Sequence, residues 1–324
     1  MSDCSELAQS SISQDSYSTD DSILKIAAKK NVFNIVLLNA RSLKDKLQSF
    51  NKTLNKLAAD ICLVTETWFQ NTDQINNELE DFMQTTEYSF LRKDRASGRR
   101  GGGIAIVFNH SKIQMSKAKI LPTKHEVFVA VGRRMGQRRK IVVLVIYIPP
   151  WYNAQQNQSL FNYTNDALLA IKNKYEDPII LVGGDFNRRD FCEATREYPD
   201  IKPIVTGPTR GLACLDIIGT NVNQSLIDAG SMDPIESNTG ALSDHRTVFV
   251  QLRMPRVPSY TVQKYSYFYI SAEGTEKFGR WLRATDWSSL ERLNDTTQMV
   301  TWLHNKFEEG MSSSFTQVSC QKII

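Results

Sequence analysis

The sequence predicts an α/β fold, a four-layered sandwich of two packed mixed β-sheets flanked by helices. Three observations lead there. Short runs rich in Val, Ile and Leu recur along the chain, the pattern of strands buried on both faces. Helical spacing is confined to a few segments. The stretch from Val32 to Glu66 reads strand, helix, strand, a βαβ-like unit that makes part of a sheet parallel.

The first of these strands is "VFNIVLLNAR", which breaks at Asn39. Leu43, Leu47, Phe50, Leu54 and Leu57 follow at helical spacing, with Ser42 and Asp45 placed as a capping pair. "DICLVTET" is the next buried strand. After a variable stretch, "GGGIAIVF", "HEVFVAVG" and "KIVVLVIYIPP" read as three more, the last closed by Pro149 and Pro150. Between the second and third of these, "RRMGQRRK" reads as a hairpin turn carrying solubilising charge. "NQSLFNYTNDALLAIKNKY" is an amphipathic helix, and "PIILVGGDFN" is again a strand. "CLDIIGT", "QSLIDAG" and "HRTVFVQLRM" complete the pattern.

The 324 residues, 41% hydrophobic and 23% charged, are those of a globular protein. A net charge of +4 permits an anionic partner without demanding one. Five cysteines without a CxxC give neither a disulfide framework nor a zinc site, and reduced intracellular thiols are the simpler expectation. No apolar run approaches the roughly 20 residues of a membrane span, and no membrane partner is expected. Residues 1–30 are acidic and Ser-rich, unlike a signal or transit peptide, and are expected to be disordered. Residues 31–254 form the predicted sandwich. Residues 255–324 open on the linker "PRVPSY" and continue as amphipathic helices without a core of their own.

Each strand ends in a residue able to hold a metal or a phosphate: Asn39, Glu66, Tyr147, Asp185 with Asn187, Asp216, and Asp244–His245 before the last strand. GDFN alone reads equally well as a turn. The repeated placement at strand ends favours chemistry. Glu66, Asp244 and the amide oxygen of Asn39 are hard oxygen donors suited to Mg²⁺. With His245 the sole nitrogen donor, zinc fits poorly. A phosphate attacked by water needs such charge neutralisation and a water held in line.

The ordered motifs "NARSL", "TETW", "RRGGGIAI", "YIPP", "GDFN", "PTRG…LDII" and "SDH" resemble the endonuclease/exonuclease/phosphatase superfamily, and most of all the apurinic-type endonuclease domain of non-LTR (LINE-type) retrotransposons. The resemblance covers roughly residues 32–254 and implies a DNase I-like fold. It implies Mg²⁺, with Mn²⁺ able to substitute, held by Glu66 with Asn39 and Asp244. It implies that Asp185 positions or deprotonates the water, Asn187 holds the phosphate, and Tyr147 binds the phosphate or helps the leaving oxygen. His245 then stabilises developing charge, oriented by Asp216. The implied function is nicking one DNA strand to leave a 3′-hydroxyl primer, with DNA as partner and the nucleus as location. Element RNA or a reverse transcriptase is a further implied partner, and residues 255–324 resemble the region before that polymerase.

Cations accompany the motif loops: Arg41, Lys93, Arg95, Arg99, Arg100, Arg188, Arg189 and Arg210. Such side chains supply most non-specific DNA affinity. "RKDRASGRR" also fits a solvated charged loop, but its place beside GGGIAI favours phosphate binding. Thr209 and Arg210 begin a loop that, by the resemblance, helps place DNA. The competing functions are a phosphatase or phosphodiesterase on the same scaffold, or a non-catalytic nucleic-acid-binding remnant.

Overall fold

The computed structural model describes residues 32–96, 101–120, 122–233, 236–237, 240–241, 243–254 and 262–323. The expectations for residues 1–30, for Arg99 and Arg100, and for the linker Pro255–Tyr260 lie outside these. The chain divides into two compact units, Met1–Val257 and Pro258–Ile324.

Along the first unit run β1 (Val32–Asn39), α1 (Leu47–Lys56), β2 (Ile61–Thr65), α2 (Asp73–Thr85), β3 (Tyr88–Lys93), β4 (Ile104–Asn109), β5 (Ile113–Lys117), β6 (Val127–Arg134) and β7 (Ile141–Tyr147). Next come α3 (Ala154–Lys174), β8 (Ile179–Asp185), α4 (Phe191–Ala194), β9 (Lys202–Pro203), β10 (Asp216–Thr220) and β11 (Leu226–Met232). The short pair β12 (Glu236–Ser237) and β13 (Gly240–Ala241) precedes β14 (Thr247–Arg253).

One six-stranded sheet has the order β11-β14-β1-β2-β4-β3 and the other β5-β6-β7-β8-β10-β9. The β1–β2 and β7–β8 pairs are parallel and the other ladders within these sheets antiparallel. Alternation of side chains along each strand sets the layers. Ile35 and Leu37 of β1, Val143 and Val145 of β7 and Leu181 of β8 fill one core between the sheets. Their neighbours Val36 and Leu38 pack outward with Phe50 and Leu54 of α1 and Leu79 of α2. On the opposite outside, Leu144 and Val182 pack with Leu160 and Leu168 of α3. The result is helix, sheet, sheet, helix. Both sheets are mixed, so the predicted four-layered, DNase I-like sandwich is the observed fold.

The Ser42/Asp45 pair does not cap α1. That helix begins after Lys46 with no side-chain cap. Arg41, Ser42 and Asp45 have φ of 40°, 92° and 60°. Ser42 N–H donates to the Glu66 carbonyl at 2.8 Å and Leu43 N–H to that of Thr67 at 3.0 Å. The loop leaving β1 is thus stitched to the loop leaving β2 before it can wind.

The second unit contains β15 (Val262–Tyr269), α5 (Ala272–Ala284), α6 (Ser288–Glu291), α7 (Thr296–Ser314) and β16 (Thr316–Ile323). The sequence predicts its helices but misses the antiparallel β15–β16 ladder, in which Tyr269 lies opposite Thr316. Half-buried aromatic side chains join its elements. Phe278 stacks on Trp281 at 5.6 Å and meets Phe315 at 5.7 Å, while Trp287 meets Trp302 edge-on at 5.8 Å.

Candidate active site

The parity that buries Leu37, Val145 and Leu181 between the sheets carries Asn39, Tyr147 and Asp185 to one end of that interface. Register completes the row. Tyr147 lies opposite Asp185, and Asp185 opposite Asp216, on three adjacent strands. Gly184 is what permits this: with φ of 154°, any Cβ there would overlap the Ile146 backbone.

Glu66 accepts hydrogen bonds from three neutral groups. Asn39 Nδ2 (3.2 Å) and the Tyr147 hydroxyl (3.1 Å) donate to Oε1, and Trp68 Nε1 (3.1 Å) donates to Oε2. Asn39 Nδ2 also donates to Asp185 Oδ2 at 2.9 Å, tying the two carboxylates together. Burial pushes the Tyr147 phenol far up, reinforced by the charges of Glu66 and Asp185, so it stays a protonated donor.

Asp185, only 1% exposed, accepts the Asn187 backbone N–H at 3.0 Å. Burial, followed by the charge of Asp216, pushes its carboxyl up to about 7; His245 and the two hydrogen bonds oppose this. His245 Nδ1 lies 2.7 Å from Asp216 Oδ2. Burial works against the imidazolium, but the Asp216 hydrogen bond and charge, aided by Asp185 and Asp244, hold its pKa above the ordinary histidine value. Asp216 is set by Thr209, whose buried hydroxyl accepts the N–H groups of Leu215 (3.0 Å) and Asp216 (3.1 Å). Ser243 Oγ accepts the His245 N–H at 3.1 Å.

The donors suit a divalent cation. Ligand atoms of Asp185, Asp216 and His245 lie within 4.8 Å of one another, and all three residues are buried; with the imidazole held protonated by Asp216, the two carboxylates are the donors that fit an ion. Asp216 Oδ1 is buried without a hydrogen-bond partner, the condition an ion would relieve. Glu66 and Asn39 add further hard oxygens.

The predicted residues fall into three groups. Asn39, Glu66, Tyr147 and Asp185 come together as one hydrogen-bonded set, with the Asp216–His245 pair beside Asp185. Asn187 joins through its backbone, while its side-chain amide donates to the Ile148 carbonyl at 2.8 Å. Asp244, grouped from sequence with Glu66 and Asn39, is instead held by Arg41 (3.1 Å) and Arg210 (2.8 Å). Those two cations outweigh its partial burial and lower its pKa.

The cations also divide. Arg188 is exposed, with φ of 65° and no ion pair among the described residues. Arg189 donates to the Tyr152 carbonyl at 3.3 Å. Arg95 is not the phosphate-facing side chain the sequence suggests: it is 7% exposed and paired with buried Glu126. Lys93 is likewise committed, donating to the carbonyls of Thr123 and His125 at 2.6 Å each, and burial pushes its ammonium down to about 8. Thr209 is buried and positions Asp216 where a DNA contact was expected. Trp68 and Glu126 had no predicted role. Trp68 stood in the TETW motif and was legible; Glu126 becomes visible only through its register opposite Tyr147.

The model of the endonuclease/exonuclease/phosphatase family matches residues 31–245. The chain belongs to this family. Its members are mostly divalent-metal-dependent hydrolases of phosphodiesters or phosphate esters. Among solved structures, an AP endonuclease from Leishmania major superposes with a TM-score of 0.55 at 13% identity, covering 69% of this chain and 89% of its own. The mannosyl-6-phosphatase of Bacteroides thetaiotaomicron gives 0.53 at 12% identity, covering 67% and 98%. The endonuclease domain of TRAS1, a telomere-specific non-LTR retrotransposon, gives 0.51 at 13% identity, covering 68% and 98%. No curated protein matches the chain. These likenesses extend the family's fold to this member. No helix of the described residues is long and apolar enough to cross a membrane.

Proposed function

We propose that the chain is a retrotransposon-derived, Mg²⁺-dependent endonuclease that nicks one DNA strand and leaves a 3′-hydroxyl. The observation that carries the reading is the buried row Tyr147–Asp185–Asp216, closed by His245 and linked through Asn39 to Glu66. Read this way, the row supplies a base (Asp185), a cation (His245) and a carboxylate suited to a metal (Glu66).

Glu66 and Asn39 would hold the metal in this reading, joined by the Asp244 oxygen that Arg41 and Arg210 do not share, and Mn²⁺ would substitute for Mg²⁺. When bound, the ion neutralises charge on the phosphate oxygens. Asp185, its carboxyl raised by burial and by Asp216, is the base that takes the proton of the attacking water. His245, kept protonated by Asp216, faces the charge that develops as the water oxygen bonds to phosphorus. The P–O3′ bond then breaks, and the 3′-oxygen leaves as a hydroxyl once protonated, with Tyr147 placed to assist. Exposed Arg188 and the Arg41–Asp244–Arg210 ion pairs favour a polyanion over a small phosphate ester.

DNA as partner implies action in the nucleus. By the same reading, residues 255–324 correspond to the region before a reverse transcriptase, and element RNA or that polymerase is a further partner. Nicking of supercoiled plasmid with Mg²⁺, lost with EDTA and in Glu66→Ala, tests the activity. Hydrolysis of a sugar phosphate with the plasmid left intact would favour a phosphatase.

A further inference from the structure

Glu126 immediately precedes β6, opposite Tyr147, and its carbonyl accepts the Tyr147 N–H at 2.9 Å. Its buried carboxylate has two clients. Oε1 accepts the Arg95 Nε–H at 2.7 Å, with Nη2 in ion-pair contact at 2.7 Å, and Oε2 accepts the Gly103 N–H at 2.6 Å. Neither side chain of the ion pair exceeds 7% exposure. The Arg95 guanidinium lies 5.6 Å from the Tyr147 ring centre and 5.0 Å from that of Trp151. A Cβ on Gly102 would overlap that guanidinium. The carbonyls of Gly102 and Gly103 accept the N–H groups of Trp68 and Thr67 at 2.9 and 3.2 Å.

One buried carboxylate thus braces both aromatic donors to Glu66: the Tyr147 hydroxyl through Arg95, and the Trp68 indole through the glycine turn. Stability does not account for it. A buried ion pair gains little over well-packed apolar side chains, because both ions lose water. Burial indeed holds the Glu126 carboxyl above its usual range despite Arg95. What the pair supplies is direction: a planar guanidinium fixed at its edge by a carboxylate and laid on a ring sets that ring's angle.

We propose that Glu126 and Arg95 are positioning residues for the reaction, fixing the Tyr147 hydroxyl on Glu66. The proposal rests on the reading of Glu66 as the metal-holding carboxylate of a phosphodiesterase. Arg95→Lys keeps the charge but not the planar fork, and Tyr147→Phe removes the hydroxyl it is held to serve.

The test is a double-mutant cycle on plasmid nicking. Each single variant should lower kcat about tenfold or more, with KM for DNA changed less than about threefold. The double variant should be no slower than the worse single one. Factors that multiply would overturn the proposal, as would an effect of Arg95→Lys carried by KM. If Arg95→Lys fails to fold, Glu126→Gln takes its place in the same cycle. Mn²⁺ affinity by calorimetry gives a second cycle that needs no turnover. It should fall alike in both single variants and no further in the double, and additive losses would again overturn the proposal. A wild-type chain that binds Mn²⁺ but nicks no DNA would sink the endonuclease reading and leave this second cycle to decide the positioning role.

Discussion

Asp185→Asn separates chemistry from folding because its two effects have opposite signs. In the metal-free protein, moving this carboxyl from 3.8 to about 7 costs the fold about 2–4 kcal/mol at neutral pH. Asparagine removes that cost. It keeps one acceptor, so the N–H groups now donated by Asn39 (2.9 Å) and Asn187 (3.0 Å) cannot both be met. One lost hydrogen bond costs about 1 kcal/mol. The net gain is roughly 1–3 kcal/mol, or roughly 2–10 °C in Tm for a domain of this size. The pH dependence fixes the cause. A raised carboxyl binds its proton in the folded state first, so the destabilisation grows as pH climbs from the unfolded value near 4 to the folded value near 7. The gain from Asp185→Asn should therefore fade as pH drops toward 4. Nicking should fall by at least on the order of 10²-fold, because in the proposed mechanism the group that takes the water's proton is gone. Melting curves in EDTA across pH, paired with plasmid nicking in Mg²⁺, read both effects. A normal rate, or a Tm lowered by several degrees at pH 7, would refute the reasoning.

Other residues give simpler outcomes. Mg²⁺ or Mn²⁺ should support nicking and Zn²⁺ should not, and activity surviving exhaustive chelation would contradict the hard-oxygen site. Arg188→Ala should lower the slope of log Kd against log salt by about one phosphate contact, whereas Arg95→Ala should leave the slope alone and lower Tm. Thr209→Val strands the N–H groups of Leu215 and Asp216 and should cost about 1–3 kcal/mol by denaturant melt. Asp244→Ala releases Arg41 and Arg210 and should lower Mn²⁺ affinity; tighter DNA binding with an unchanged Mn²⁺ affinity would leave Asp244 its ion-pair role alone.

The strands most legible in sequence are those buried on both faces, although the half-buried edge strand β11 is also legible in "QSLIDAG". Residues 32–39, 61–65, 141–147 and 179–185 are apolar almost throughout because another layer covers each side. The edge strand β3, "YSFLRK", and β5, "IQMSK", carry polar and charged residues and lack that signature. α1 starts late because hydrogen bonds between two loops, invisible in either segment alone, override a plausible cap. The same divide runs through the site. Asn39, Glu66, Asp185 and His245 announce themselves as polar residues at the ends of apolar runs. Glu126 and the buried role of Thr209 depend on which strand lies beside which. The burial of Arg95 depends on a partner 31 residues away.

Left-handed backbone is unevenly distributed in this chain. Arg41, Ser42, Glu66, Trp68, Asn187 and Arg188 all have φ between 40° and 92°, and all lie on the loops that assemble the site. Outside the asparagine, none is a residue type at ease there, and each carries a penalty on the order of 1–2 kcal/mol. Glycine at Glu66 or Trp68 would relax the chain at once. A chain selected only for staying folded has every incentive to drift toward such relief. On the proposed endonuclease reading, the strain kept at these positions serves as a wear gauge: family members that cut should hold it, and members that do not should shed it before their cores decay. Comparing the melting temperature and nicking rate of Trp68→Gly with those of a core variant would calibrate that gauge.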